Sequence, residues 1–175
     1  MKYFALLRGI NVGGNCRVEM KKLRTQFESL GFSNVSTYIN SGNVVFESPK
    51  KPKAVRDAIV TMFQKEYRFP IPTLVKTQKE MKAIANAIPK SWKQDSKDAR
   101  SDVAYLFEGA DSKDSIALLP MNREVVDIRY VKGALLWNLS RKNYSKARLN
   151  KLIGTKIYKL MTMRNVNTAR YLASL

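Results

Sequence analysis

The sequence predicts an α+β protein: two ferredoxin-like, split βαβ plait subdomains in tandem, with antiparallel sheets and helices on one face. Three observations carry this. Hydrophobic periodicity orders residues 1–76 as β-α-β-β-α-β. A β-α-β-β-α series repeats over residues 101–175, after a helix and polar linker at 77–100. Each half also contains two period-two runs around turn residues, the mark of a hairpin. With 175 residues, 45% of them apolar, the chain can bury one core or two small ones.

Tyr3–Leu7 is apolar on both alternating faces, which predicts a central strand covered on both sides, by the free face of the other sheet or by a partner. Met20, Leu23, Phe27 and Leu30 recur at helical spacing, with Gly31 as the stop. Val35–Ile39 and Val44–Glu47 flank the turn Asn40-Ser41-Gly42-Asn43. A second helix opens at Pro52, a favoured first-turn residue, and buries Val55, Ala58, Ile59, Met62 and Phe63 before Pro70. Thr73–Lys76 closes the first sheet, and Thr77 with Glu80 forms a capping box for a helix carrying Met81, Ile84 and Ile88.

Lys90–Ser101 reads as a polar linker. Beyond it, Val103–Phe107 is a strand and Asp111–Leu119 a short helix ended by Pro120. Val125–Tyr130 and Leu135–Leu139 form a hairpin around Lys132-Gly133. Ser145 is placed to cap a helix carrying Leu149, Leu152 and Ile153, and a last helix from Asn165 buries Val166, Ala169 and Leu172.

Handedness gives this topology its functional consequence. Strand one and strand two run parallel, so the loop after the first and the hairpin turn after the second lie at one end of the sheet. Arg8, Asn11, Gly13, Gly14 and Asn15 thereby meet Asn40, Ser41, Gly42 and Asn43 across about thirty residues of sequence. A glycine-rich loop before a helix turns backbone N–H groups toward an anion, and Arg8 adds a bidentate donor. The spacing matches neither a Walker loop nor the dinucleotide fingerprint, since Gly14 is followed by Asn15-Cys16. The alternative is purely local: glycines for a tight turn and asparagines bonding backbone. Arg164 and Asn165 open the last helix with a similar polar group that a helix cap also explains.

The remaining composition narrows the chemistry. There is no histidine, which removes the usual metal ligand and the usual base near neutral pH. Glu19, Glu28, Glu47, Asp57 and Glu66 show no paired spacing for acid–base work. Cys16 has no histidine to activate it. Catalysis, metal binding and a cofactor are therefore not indicated. With one cysteine and no apolar run long enough to span a bilayer, the chain reads as soluble and cytoplasmic, without a membrane partner. Lys+Arg outnumber Asp+Glu by 32 to 14, giving +18, which attracts polyanions. The third strand lacks the leading basic residue and spaced aromatics of RNA-recognition domains. Two partners follow: a small anionic ligand at the loop end of the first sheet, or nucleic acid bound without sequence preference. An enzyme using the same loop cluster is a third reading.

The runs Ala5-Leu6-Leu7-Arg8-Gly9-Ile10-Asn11-Val12-Gly13-Gly14 and Thr37-Tyr38-Ile39-Asn40-Ser41-Gly42-Asn43-Val44-Val45-Phe46 are long enough to be specific. With Ser145-Lys146 and Thr162-Met163-Arg164-Asn165-Val166-Asn167-Thr168, the chain resembles the uncharacterised, mainly bacterial family known as domain of unknown function number 1697. The resemblance implies an α+β fold of two plait-like subdomains and no activity. Members of that family are not uniformly so basic, which ties the charge to this protein rather than to a shared function.

Overall fold

The computed structural model describes residues 1–14, 16–92 and 97–175. They divide into two compact units, Met1–Lys79 and Glu80–Leu175.

In the first unit, β1 (Lys2–Leu7) is followed by α1 (Met20–Ser29), β2 (Ser33–Tyr38), β3 (Asn43–Glu47), α2 (Pro52–Glu66) and β4 (Thr73–Thr77). The sheet order is β2-β3-β1-β4. β1 pairs antiparallel with β3 and with β4, and β3 pairs antiparallel with β2, so β1 and β2 run the same way. Their C-terminal ends share one rim, as the handedness argument requires. The helical face is packed with Leu23 and Phe27 of α1 and Val55, Ile59 and Phe63 of α2 against Tyr3, Ala5 and Leu7 of β1. Phe46 of β3 stacks on Phe32 at 4.5 Å and meets Phe27 edge-on at 5.3 Å, geometries that aromatic quadrupoles favour. α1 stops where Gly31 enters the left-handed region at φ +79, its N–H donating to Glu28 O. At the sheet's edge, β2 carries an extra residue between Ser33 and Ser36, with Asn34 at φ +51 and its amide donating to Glu47.

α3 (Gln78–Asn86) leads into the second unit. There β5 (Ala99–Leu106), β6 (Val126–Val131), β7 (Ala134–Ser140) and β8 (Met161–Asn165) form a sheet in the order β6-β7-β5-β8. This repeats the first sheet's order strand for strand. Both sheets are antiparallel and the arrangement is that of two tandem ferredoxin-like subdomains. Trp137, fully buried, packs with Leu106, Leu135, Leu139 and Met161 in the core. A short α4 (Lys156–Lys159), capped by Thr155, precedes β8, and α5 (Val166–Ser174) follows it.

Four expectations are corrected. The β-α-β-β-α series expected over residues 101–175 lacks a closing strand, yet β8 pairs with β5 from Asp102↔Asn165 to Leu106↔Met161 and completes the second sheet. The helix expected over Asp111–Leu119 is a pair of 3-10 turns, Glu108–Ala110 and Lys113–Leu118, the second capped by Ser112. The helix expected after Ser145 is a 3-10 turn at Leu149–Leu152; Arg148 at φ +57 breaks any continuous α-helix there, and Ile153 is exposed. β5 also begins at Ala99, inside the stretch read as linker, while 93–96 lie outside the described residues. Among the described residues no helix is long and apolar enough to cross a membrane.

Candidate ligand cleft

The loop from Arg8 to Val18 is tied to the rim at both ends. Leu7 N–H donates to Gly42 O at 2.8 Å, and Arg8 N–H to Pro72 O at 2.9 Å. Ile10 turns inward and is buried, anchoring the loop to the core. Asn11 then acts as a clasp. Its Oδ1 accepts from Val18 N–H at 2.8 Å, while its Nδ2 donates to Val18 O at 2.9 Å and Asn40 O at 3.0 Å. The left-handed φ of +54 that this requires is one asparagine tolerates better than most residues.

The two runs therefore converge on one rim. What they do there differs along the run. Asn43 is fully buried, and its amide donates to Tyr38 O and Ser41 Oγ, which stiffens the hairpin. Gly42 sits so close to β1 that a Cβ on it would lie 2.7 Å from Leu7 Cβ and 2.9 Å from Ile10 Cδ1. These groups build the frame. Gly13, Gly14 and Asn40 are exposed, and Ser41 is half-buried. Arg8 is half-buried at the loop's start. Asn15 lies outside the described residues.

Against this frame lies a cleft of about 890 Å³. Asn11, Gly14 and Asn40 form one wall; Arg17 just before α1 and Lys21 and Lys22 in its first turn, with Tyr67 after α2, form another. These four are the residues sequence reasoning missed. Arg17 lies on the extended segment before α1 and Lys21 in its first turn, so no helical spacing links them, and on their own they read as solvated charges. Neither has a carboxylate partner among the described residues. Lys22 lies 3.8 Å from Glu66 and 5.7 Å from the Tyr67 ring centroid. The lining includes one carboxylate, Glu19, which makes no side-chain cap to α1. Tyr67 is held by its hydroxyl, which donates to Gln26 Oε1 at 2.8 Å, and Gln26 in turn donates to Glu66. Burial raises the Tyr67 phenol above its ordinary pKa, so it remains protonated at neutral pH.

Arg164 and Asn165 belong to the second unit. Asn165 caps α5, its Oδ1 accepting from Thr168 N–H at 2.8 Å. Arg164 is buried in β8 and donates to Thr162 Oγ1 and Met163 O. Burial lowers its pKa to about 10, which still leaves it charged at neutral pH. A smaller cavity of about 320 Å³ adjoins it, lined also by Arg100, Asp102 and Arg141. Asp102 there accepts from Arg100 Nε at 2.7 Å and from Trp137 Nε1 at 3.2 Å. Burial pulls the Arg100 pKa down more than any single contact raises it, but the charge and hydrogen bond of Asp102, together with Tyr144, leave it raised. Among the described residues no group of three or more Cys, Asp or Glu side chains is placed to hold a metal ion.

The loop and hairpin that frame the cleft fall inside the region, residues 1–137, matched by the family described as protein of unknown function (DUF1697). The chain belongs to this family. The DUF1697 chain is also similar to a solved structure, that of the conserved bacterial protein SP0830 from Streptococcus pneumoniae. The two share 29% sequence identity with a TM-score of 0.86, over 99% of this chain and 97% of that one. No curated protein matches the chain.

Proposed function

We propose that this DUF1697 protein is a binding module for a small anionic ligand, held in the cleft between the Arg8–Val18 loop and the start of α1. The observation that carries this is the charge of the wall. Arg17 and Lys21 present a guanidinium and an ammonium with no carboxylate partner among the described residues, Lys22 stands beside them, and Glu19 is the only acid in the lining. A phosphate or carboxylate entering there gains charge-assisted hydrogen bonds, against Glu19 in the lining and Glu66, which lies 3.8 Å from Lys22. Asn40 and Gly14 complete the rim, while Asn11, Gly42 and Asn43 hold it in shape. No group in the cleft is an evident base, so the reading is binding rather than catalysis.

The test is an NMR titration of the intact chain with inorganic pyrophosphate. Amides from Asn11 to Lys22 and at Asn40 should move together. A variant carrying Arg17→Ala, Lys21→Ala and Lys22→Ala should lose about tenfold or more in affinity, since bonds to charged groups are the strong ones. Shifts scattered over the whole surface, or an unchanged affinity in the variant, would refute the reading. The same variant separates out general polyanion attraction. It lowers the formal charge only from +18 to +15, so a non-specific nucleic-acid binder would keep most of its affinity and its salt slope.

A further inference from the structure

The basic cleft does not end at Tyr67. That residue also lines a second hollow, of about 450 Å³, on the loop between α2 and β4. Its chemistry is different. Phe63, Tyr67 and Phe69 form a run of rings, with centroids 5.8 Å apart for the first pair and 5.6 Å for the second. Pro70, Ile71 and Pro72 extend the apolar surface. Two exposed polar groups interrupt it, the Gln64 carboxamide and the Arg68 guanidinium; the buried Thr73 hydroxyl also lines it but donates to Ile71 O at 2.9 Å. No carboxylate is present in the lining.

We infer that the anion is carried on an aromatic heterocycle: the ligand is a nucleoside phosphate, with its phosphate in the Arg17–Lys21–Lys22 cleft and its base in the Phe63–Tyr67–Phe69 hollow. This rests on the anion-binding reading above and names its ligand class. Charge complementarity fixes one end, since a cationic wall with a single acid takes phosphate oxygens. Tyr67 and Phe69, half-buried over the core residue Phe63, fix the other, because every nucleobase offers a face that stacks on a phenyl or phenol ring. An aliphatic chain would fill the same hollow but would leave Gln64 and Arg68 unused. A base edge presents both donors and acceptors, which a carboxamide can match with one group of each kind. Tyr67 joins the two sites. Its hydroxyl is held by Gln26, so the ring is set as a fixed divider past which the ribose runs.

The experiment compares three probes on the intact chain by calorimetry: inorganic pyrophosphate, ADP and a short single-stranded oligoadenylate. ADP should bind at least about tenfold tighter than pyrophosphate, within the range that stacking of one base supplies. Phe69→Ala should bring ADP down to the pyrophosphate level and leave pyrophosphate binding unchanged. Gln64→Ala, at an exposed site that the fold does not need, should weaken ADP alone. Equal affinities for ADP and pyrophosphate in the unaltered chain overturn this inference and leave the anion-binding reading intact. Absence of binding by both overturns the two together. The oligoadenylate distinguishes the source of the nucleotide. Affinity that rises with chain length and falls steeply with salt identifies a nucleic-acid strand, and equal affinity identifies a free nucleotide.

Discussion

Replacing Gly42 by alanine tests how the rim is built. The residue has φ +78, and an added methyl meets Leu7 Cβ at 2.7 Å and Ile10 Cδ1 at 2.9 Å. The left-handed conformation costs an L-residue about 1–2 kcal/mol. Overpacking against a core side chain adds about 1–3 kcal/mol. Leu7 cannot retreat easily, because its own N–H is bonded to Gly42 O. The expected loss is therefore about 2–5 kcal/mol, a large part of the 5–15 kcal/mol that folded domains possess. Gly14→Ala is the control: its φ is +79 and nothing lies within 4 Å of the added atom, so only the conformational part applies. Urea unfolding of both variants, followed by circular dichroism, isolates the contact as their difference. If Gly42→Ala is no more destabilising than Gly14→Ala, the close approach of turn and strand is not what holds the rim.

Three further outcomes follow from the hydrogen-bond pattern. Asn11→Ala removes three bonds and strands the Val18 N–H; it should destabilise the first unit by about 2–4 kcal/mol, read by hydrogen exchange at Val18. Asp102→Ala leaves the Trp137 indole N–H and Arg100 without their shared acceptor; a loss of about 2–4 kcal/mol and a red shift of tryptophan emission should follow, with Asp102→Asn milder. Tyr105 is wholly buried with its hydroxyl unpartnered among the described residues, so Tyr105→Phe should stabilise by about 1–3 kcal/mol in a thermal melt; a lower melting temperature would show that the hydroxyl is satisfied in solution.

Much of the fold was legible because its signals are local. The two-sided apolar run Tyr3–Leu7, the turn Asn40–Asn43 and the stop at Gly31 each specify backbone geometry directly, and handedness did the rest. β8 was not legible. Met161-Thr-Met-Arg-Asn has one β-branched residue, starts right after α4 and runs without a loop into α5, so nothing punctuates it. The 3-10 turns failed for a different reason. Helical spacing of Leu149 and Leu152 survives in a 3-10 turn, and the left-handed Arg148 that stops an α-helix leaves no mark in the sequence. The site was half legible. Topology placed the two loops together, but could not say that Asn11 and Asn43 spend their side chains on backbone. Nor could it raise Arg17 and Lys21 above other basic residues, because the distinction lies in Tyr67, far along the chain and past the end of α2.

The irregularity in β2 bears on how these molecules keep apart. A sheet border with open N–H and C=O groups invites another polypeptide to dock in register. Here the extra residue between Ser33 and Ser36 offsets that border by one position, and Asn34 in the left-handed region twists it out of line. Serine and asparagine on the outer side offer little apolar reward to a newcomer. A formal charge of +18 opposes the approach of like-charged chains only over a range that salt shortens; a kinked border acts at close contact, through backbone geometry that salt does not alter.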